Sequence, residues 1–196
     1  MILVAGLGNP GKEYSSSRHN VGFIVVDEIA KRLGISLKKK GFRSLFAEAL
    51  LEEKKIILLK PQTYMNLSGD AVSDAVEFFK ISLKDIIVVH DEIDLPLGSM
   101  KIKTGGGSAG HKGVRSIVNC LGDSGFVRVR VGVGKPLQKS EVIGHVLSGF
   151  GKEEKRIMED MVVRAADAVL EIILRGLESA MNKFNRKDAE YKTQDA

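Results

Sequence analysis

The first 23 residues, MILVAGLGNPGKEYSSSRHNVGF (1–23), place an apolar run before a loop rich in glycine and decide how the fold begins. Residues 2–5 are typical of a buried strand, and residues 6–11, GLGNPG, match the G-x-G-x-x-G pattern of dinucleotide-binding loops. That pattern binds a pyrophosphate only where its third glycine opens a helix. Here nine polar or weakly helical residues follow Gly11, and the helical pattern starts only at Val21. We therefore interpret the glycines as places where the backbone turns tightly or approaches another segment closely.

Hydrophobic periodicity predicts the elements that follow this loop. Apolar residues at every fourth position from Val21 to Leu33 predict a helix, with Asn20 as its N-cap and Gly34 as its stop. Two apolar runs on either side of residues 52–55 predict a hairpin. The later patterns predict a helix that begins near residues 66–68, a buried strand within 85–94, a strand, glycine loop and helix over 100–122, and a half-buried strand at 126–134.

The last third of the chain repeats apolar residues at helical spacing from Glu153 to about Phe184, which predicts one long amphipathic helix. Strands that alternate with helices predict the α/β class. The expected fold is a single-domain three-layer sandwich, in which helices flank a mixed, mostly parallel central sheet. We assign residues 1–185 to this domain and residues 186–196 to a polar, flexible tail.

Composition limits the classes of function. The 196 residues carry a formal net charge of +5, which is compatible with a polyanionic partner but does not identify one. A single cysteine, Cys120, excludes an internal disulfide. The N-terminus lacks the basic segment of a signal peptide, and no apolar stretch approaches the roughly 18 residues of a membrane span. We expect a cytoplasmic protein that does not enter a membrane.

Polar residues collect after the predicted strands, where α/β proteins place their sites. His19 is a candidate general base if Asp91 meets it in space. A carboxylate that accepts the Nδ1–H would leave Nε2 free to take a proton from water. The alternative is that His19 only caps or packs at the start of the helix. We expect His90 to be structural, since the strand pleat turns it away from Asp91.

Other kinds of catalysis have weaker support. No nucleophile is evident, since Ser68 or Ser108 would need a histidine that nothing in the sequence places nearby, and the metal-binding spacings H-E-x-x-H and C-x-x-C do not occur. What remains is a hydrolase that activates water directly and polarises a carbonyl group with neutral donors such as asparagine amides. The residues that a metal site would have to use are His19, His90, Asp91 and His111.

Cationic residues alternate along two predicted strands. Lys101 and Lys103 share one face of the first strand, and Arg128 and Arg130 share one face of the second. If the strands are neighbours, these four cations form one solvent-exposed face beside the glycine loop, where a phosphate could bind. The alternative is an ordinary solvated sheet face, and the sequence leaves both open.

Five motifs, in their order and spacing, closely resemble those of the bacterial peptidyl-tRNA hydrolase family. The resemblance covers residues 3–136, about two thirds of the chain. Long motifs in order are far more specific than the short patterns above. The motifs are GLGNPGKEYSSSRHNVGF (6–23), KPQTYMNLSG (60–69), VVHDEIDLPLG (88–98), GGGSAGHKGVRSI (105–117) and RVRVGVGKP (128–136).

The resemblance implies hydrolysis of the ester bond between a peptide and the 3′-terminal ribose of tRNA, by a monomer that needs no metal or organic cofactor. The implied base is His19, supported by Asp91, and Asn9 would help to distinguish a blocked from a free aminoacyl group. Asn66 would position the substrate or the attacking water. The implied partner is the acceptor stem, CCA end and 5′-phosphate of peptidyl-tRNA. The further residues implied to contact it are Tyr14, Tyr64 and Met65 in the cleft, and Lys103 and Arg130, supported by Lys101, at the 5′-phosphate.

One position departs from the family's pattern. The family commonly has G-H-N-G where residues 110–113 read GHKG, so Lys112 replaces an amide with a charged group. Lys112 stays among the expected substrate-binding residues, and a phosphate contact is its alternative role.

Some relatives of the family are RNA-binding splicing factors without hydrolysis, so a binding module is the rival interpretation. A metal-dependent hydrolase is a third.

Overall fold

Seven strands form one mixed sheet in the computed structural model, which describes residues 1–136 and 138–185. The strands are β1 (Ile2–Gly6), β2 (Lys39–Gly41), β3 (Ser44–Leu51), β4 (Lys54–Pro61), β5 (Ile86–Glu92), β6 (Met100–Thr104) and β7 (Val127–Gly132). Their order across the sheet is β2-β3-β4-β1-β5-β7-β6. The inner strands β4, β1, β5 and β7 run parallel, while β2–β3, β3–β4 and β6–β7 are antiparallel pairs. The prediction of a mixed sheet with a parallel centre is confirmed.

Helices cover both faces of this sheet. They are α1 (Val21–Arg32), α2 (Ser68–Phe79), α3 (Lys112–Leu121), α4 (Val142–Leu147), α5 (Lys152–Arg175) and α6 (Leu177–Phe184). Buried residues of α1, α5 and α6 form one core, and those of α2 and α3 form a second. Strand β5 contributes to both cores, because its side chains alternate between the two faces of the sheet. Ile87 and Val89 enter the first core, and Ile86 and Val88 enter the second. The predicted three-layer α/β sandwich is confirmed.

Glycines let the first strand touch the first helix. A Cβ at Gly6 would overlap the carbonyl group of Gly22, and a Cβ at Gly22 would overlap backbone atoms of Leu7 and Val89. Because neither glycine has a side chain, α1 packs directly on β1 and β5. The turn before α1, which contains His19, is therefore held at the carboxyl ends of these strands. The glycines serve this close approach, in agreement with the interpretation from the sequence.

The prediction of one continuous C-terminal helix is wrong. Helix α5 ends at Arg175, and Gly176 has φ 93° and ψ 167°, which are not helical values. Helix α6 then packs on the edge strand β6, and Asn185 makes hydrogen bonds of 2.7 and 2.8 Å with the backbone of Ile102. The apolar repeat continues through the break because both helices bury the same face. In the described residues, no helix is both long and apolar enough to cross a membrane.

The tail predicted for residues 186–196 lies outside the described residues, so the predicted domain boundary at residue 185 stays a prediction.

Candidate active site

A cleft of about 340 Å³ opens at the carboxyl ends of β1 and β5. One wall is polar and comes from these strand ends and from the first turn of α3. The opposite wall is apolar and comes from α4. The predicted site residues that line the cleft are Asn9, Tyr14, His19, Tyr64, Met65, Asn66, Asp91 and Lys112. Lys101, Lys103 and Arg130 do not line it and lie on the neighbouring strands β6 and β7.

His19 and Asp91 are hydrogen-bonded across 72 positions of sequence. His19 lies in a 3-10 turn, Arg18–Asn20, and its Nδ1 is 2.8 Å from Oδ1 of Asp91. The carboxylate is at the end of β5 and is 2% exposed. Burial alone would raise the pKa of Asp91, but two neighbouring histidines hold that pKa well below its ordinary value. Asp91 is therefore anionic, and it orients His19 with Nε2 as the nitrogen that is left for the substrate.

The second histidine is His111, which sequence reasoning considered only as a metal ligand. Its Nε2 is 2.9 Å from the same Oδ1 of Asp91, and its Nδ1 accepts a hydrogen bond of 3.2 Å from the backbone N–H of Val114. Nδ1 must therefore be unprotonated and Nε2 must carry the proton. Both nitrogens are occupied, so His111 is unsuited to act as a base. Its position directly before a helix, after a glycine loop, is an N-cap signal that could have revealed its contact with the backbone of Val114.

His90 precedes Asp91 in β5 and is 2% exposed. Its Nδ1 donates to the backbone carbonyl of Asp91 at 2.7 Å, and its ring packs edge-on against His111, with 4.7 Å between the ring centroids. Burial first, and then the neighbouring His111, lowers the pKa of His90 well below its ordinary value. Nε2 of His90 has no partner among the described residues. The geometry agrees with the structural role predicted for this residue.

Asn9 is fixed by three hydrogen bonds. Its Oδ1 accepts from the backbone N–H of Met65 at 2.8 Å, which leaves the amide nitrogen as the polar atom offered to the cleft. The Asn20 side chain accepts from the Asn9 N–H at 2.8 Å and donates to the Asn9 carbonyl at 2.9 Å. Asn20 precedes α1 as predicted, but its side chain does not cap the helix. It instead joins the loop of Asn9 to the turn of His19.

Apart from Met65, which is 3% exposed, the remaining predicted cleft residues are more accessible. Asn66 is exposed in the 3-10 turn Met65–Leu67, and Tyr64 before it is 58% exposed. Tyr14 is half-buried at the cleft. Lys112 is exposed in the first turn of α3, so its ammonium group faces solvent at the cleft margin. These side chains are free to adjust to a substrate, unlike Asn9 and Asp91.

Sequence reasoning missed the apolar wall. Helix α4 directs Val142, Ile143, Val146 and Leu147 at the cleft, and Ile143 is 62% exposed. The spacing of three and four residues would have indicated an apolar helix face, but six residues are too few for a firm prediction from periodicity. An exposed apolar wall opposite polar groups suits a ligand that has both apolar and polar parts.

The predicted cation face is only partly correct. β6 and β7 are neighbours, with Lys101 opposite Arg130 and Lys103 opposite Arg128. Arg128, however, is 2% exposed and donates to the carbonyl oxygens of Gly106 and Gly107 at 2.6 and 2.8 Å. The glycine loop folds over this guanidinium group, so Arg128 orders the loop and is not available to a ligand.

Lys103 and Arg130 remain at the surface of this face. Burial, followed by the charges of Arg130 and Arg128, lowers the pKa of Lys103 below its ordinary value. Nε and Nη2 of Arg130 donate to Oε2 of Glu92 at 2.9 and 2.8 Å. The face is therefore a cationic surface with one buried counter-charge, Glu92.

The side chains that come closest to a metal-binding arrangement are His19, Asp91 and His111, whose ligand atoms lie within 4.8 Å of one another. Both histidines already donate to one oxygen of Asp91, and the other nitrogen of His111 accepts from Val114. A cation between them would have to replace both of these hydrogen bonds and displace both protons. The donor set is thus arranged for hydrogen bonding.

Comparison with known proteins shows which family the chain matches. A model of the family described as Peptidyl-tRNA hydrolase matches residues 3–192. A relative from Thermoanaerobacter sp. (strain X514), named peptidyl-tRNA hydrolase, is 51% identical over 185 residues, which cover 94% of this chain and 100% of its own. One of the same name from Geobacillus thermodenitrificans (strain NG80-2) is 46% identical with the same coverage. The crystal structure of peptidyl-tRNA hydrolase from Acinetobacter baumannii matches with a TM-score of 0.90 at 38% identity, covering 94% of each chain.

Proposed function

The chain belongs to the peptidyl-tRNA hydrolase family and is an ester hydrolase that acts on peptidyl-tRNA, and we propose that it does so with a water molecule activated by His19. The observation that carries this proposal is the shared carboxylate oxygen of Asp91. It binds the Nδ1–H of His19 at 2.8 Å and leaves Nε2 of that residue for water. The two other imidazoles nearby, His90 and His111, are held by contacts that make them poor bases.

The proposed reaction needs one base and one group of hydrogen-bond donors. Nε2 of His19 takes a proton from water as the water oxygen attacks the carbonyl carbon of the ester. The carbonyl oxygen becomes negatively charged, and the amide groups of Asn9 and Asn66, which line the cleft, would donate hydrogen bonds to it. The carbon–oxygen bond to the ribose then breaks, and the proton on His19 passes to the ribose oxygen. The products are a peptide with a free carboxyl group and a tRNA with a free 3′-terminal ribose.

Selection of a blocked aminoacyl group follows from the two walls. A free α-amino group is cationic at neutral pH, and burying it against α4 would remove its hydration without a countercharge. A peptide has a neutral amide at that position, which can accept a hydrogen bond from Nδ2 of Asn9. The fixed orientation of Asn9, set by Met65 and Asn20, supports this role in discrimination. Tyr14 and Tyr64 would contact the peptide or the terminal nucleotide.

The cationic face is proposed to bind the 5′-phosphate at the end of the acceptor stem, while the CCA end enters the cleft. Lys103 and Arg130 would contact the phosphate and Lys101 would add charge. Glu92 occupies one edge of the Arg130 guanidinium group, so Nη1 and the second proton of Nη2 stay free to donate to a phosphate. Lys112, which lines the cleft, would contact a backbone phosphate near the CCA end. We propose a monomer that acts in the cytoplasm, as the resemblance implies.

Hydrolysis of an N-acetylaminoacyl-tRNA and of its unblocked counterpart, each with and without EDTA, tests the proposal against its two rivals. We expect rapid cleavage of the blocked substrate only, unaffected by EDTA. Salt-sensitive binding without cleavage would indicate an RNA-binding module and contradict the proposal. Cleavage that EDTA abolishes and added metal restores would indicate a metal-dependent hydrolase and would also contradict it.

A further inference from the structure

The residue before the proposed base is a buried arginine with a distant partner. Nη2 of Arg18 is 2.7 Å from Oε2 of Glu154, which is 136 positions away in the first turn of α5. The Arg18 side chain is 8% exposed and that of Glu154 is 36% exposed. Nε and Nη1 of Arg18 are buried and have no partner among the described residues. Burial of a charge with two unsatisfied donors is costly, so stability alone does not explain this arginine.

The same ion pair is the centre of a set of contacts that tie two segments together. The backbone N–H of Arg18 donates to Ser148 at 2.9 Å, and its guanidinium carbon lies 4.6 Å from the ring centroid of Phe150. Ser17 forms a β-bridge with Gly149. The turn that carries His19 is thereby attached to residues 148–151, the segment between α4 and α5.

We propose that Arg18 is a positioning residue for His19. Through Glu154, it attaches the turn of the base to the segment that follows the apolar wall of the cleft. Asn20 holds the other side of this turn through Asn9. The base is thus held from both sides, by neutral contacts to the loop of Asn9 and by a charged contact to Glu154 in the first turn of α5. This inference rests on the proposed role of His19.

The variant Arg18→Met tests whether Arg18 affects kcat through the position of His19 or only through the stability of the fold. The variant removes the buried charge and its two unsatisfied donors, while Glu154 can be hydrated and keeps its 2.7 Å hydrogen bond to the N–H of Gly151. We expect a melting temperature near that of the wild type, because the partner left behind, Glu154, is 36% exposed, so that no unpaired buried charge remains. A small displacement of a catalytic group can cost up to about 10²-fold in rate, so kcat should fall by roughly 10- to 100-fold with little change in KM.

Glu154→Gln is the second variant and should lower kcat in the same way. The control is Arg32→Met, which removes a 2.6 Å contact from α1 to Asp167 of α5. A proton NMR resonance from the Nδ1–H of His19, identified by its loss in His19→Ala, gives an independent measurement. We expect it to broaden in the Arg18 and Glu154 variants and to be unchanged in the Arg32 variant.

The inference is overturned if both variants keep the kcat and the Nδ1–H resonance of the wild type, whatever their melting temperatures. The proposed base is tested separately in the same experiment. If His19→Ala keeps its activity, the proposed function fails. If His19→Ala is inactive while Arg18→Met and Glu154→Gln turn over normally, only the role of Arg18 fails.

Discussion

Arg130 donates from both Nε and Nη2 to a single oxygen of Glu92, at 2.9 and 2.8 Å. Glu92 is the last residue of β5 and directly follows Asp91, and it is only 4% exposed. The strand that supplies the partner of the proposed base thus also orients a guanidinium group of the cationic face. Under the proposed assignment of Arg130 to the 5′-phosphate, one strand sets the distance between the reacting ester and that phosphate, which is the condition for positioning a large substrate.

Replacing a cation of this face should weaken substrate binding and leave the chemical step intact. We expect Lys103→Ala and Arg130→Ala each to raise KM by roughly 10- to 100-fold, since a hydrogen bond to a charged group is worth about 1.5–3 kcal/mol. The log–log slope of binding against salt should decrease by about one unit for each variant. Fluorescence titration of tRNA at several salt concentrations, beside steady-state kinetics, measures both. The matched control is Lys31→Ala, a cation that is 82% exposed on α1.

A substrate without its 5′-phosphate sharpens this test. On such a tRNA, the KM of each variant should equal that of the wild type. An equal increase in KM on both substrates would show that the two side chains do not act on the 5′-phosphate.

His111→Asn should slow the reaction. His111 is one of two donors to Oδ1 of Asp91, and asparagine keeps the ability to cap α3 but is too short to replace this contact. With one donor fewer, the carboxylate of Asp91 is held less firmly and orients His19 less well. We expect kcat to fall by up to about 10²-fold with little change in KM, measured by steady-state kinetics. An unchanged kcat would show that His111 does not act through Asp91.

His90 should make the protein less stable as the pH falls below neutral. The pKa of His90 is lowered in the folded state by burial and by His111, with Arg128 in the same direction and Asp91 opposed. The unfolded chain takes up the proton below about pH 6.5 and the folded protein does not, so unfolding becomes more favourable there. The free energy of unfolding should therefore decrease between pH 7 and pH 5, where the unfolded chain takes up this proton and the buried ring stays neutral.

His90→Asn keeps a donor for the Asp91 carbonyl and removes this titration. Denaturant unfolding at the two pH values should show a smaller decrease in the variant. The depressed pKa of Asp91 affects stability only below about pH 4, where the stabilisation by its anionic form is lost. Asp91 therefore does not contribute to the difference between pH 7 and pH 5. His145→Asn is the control, and an equal decrease in the wild type and the His90 variant would disprove the assignment.

Gly22→Ala should prevent the close packing of β1, β5 and α1. A Cβ at this position overlaps backbone atoms of Leu7 and Val89, which cannot move without breaking the sheet. The expected loss of stability is about 3 kcal/mol or more, measured by denaturant unfolding. Gly144→Ala is the matched control, because its Cβ would meet no atom within 4 Å. Equal stability of the two variants would contradict the packing argument.

The central α/β core could be predicted from the sequence because each element carries its own local signal. The apolar run of residues 2–5, the four-residue repeat from Val21 and the alternation of residues 126–134 each have a single periodicity. Spatial proximity of His19 and Asp91 could be proposed because both follow strands of the inner sheet. The family motifs added roles for Asn9 and Asn66 that residue type alone does not supply.

The features that were missed depend on contacts between distant segments. The break at Gly176 leaves the apolar repeat intact, so periodicity could not reveal it. Arg128 is on the polar face of its strand, and only the path of the glycine loop buries it. His111 and Arg18 have partners 20 and 136 positions away, and no spacing rule connects them.

The central claim is that His19 acts on the bond and does not contribute to tRNA affinity, and the most direct measurement compares turnover with binding in His19→Ala. Hydrolysis of N-acetylaminoacyl-tRNA at saturating substrate gives kcat, and equilibrium titration of the same tRNA gives Kd. A general base contributes typically about 10²–10⁴-fold, so we expect kcat to fall by that factor while Kd stays near the wild-type value. A variant that binds tRNA much more weakly, or that turns over at the wild-type rate, would contradict the assignment of His19 as the base.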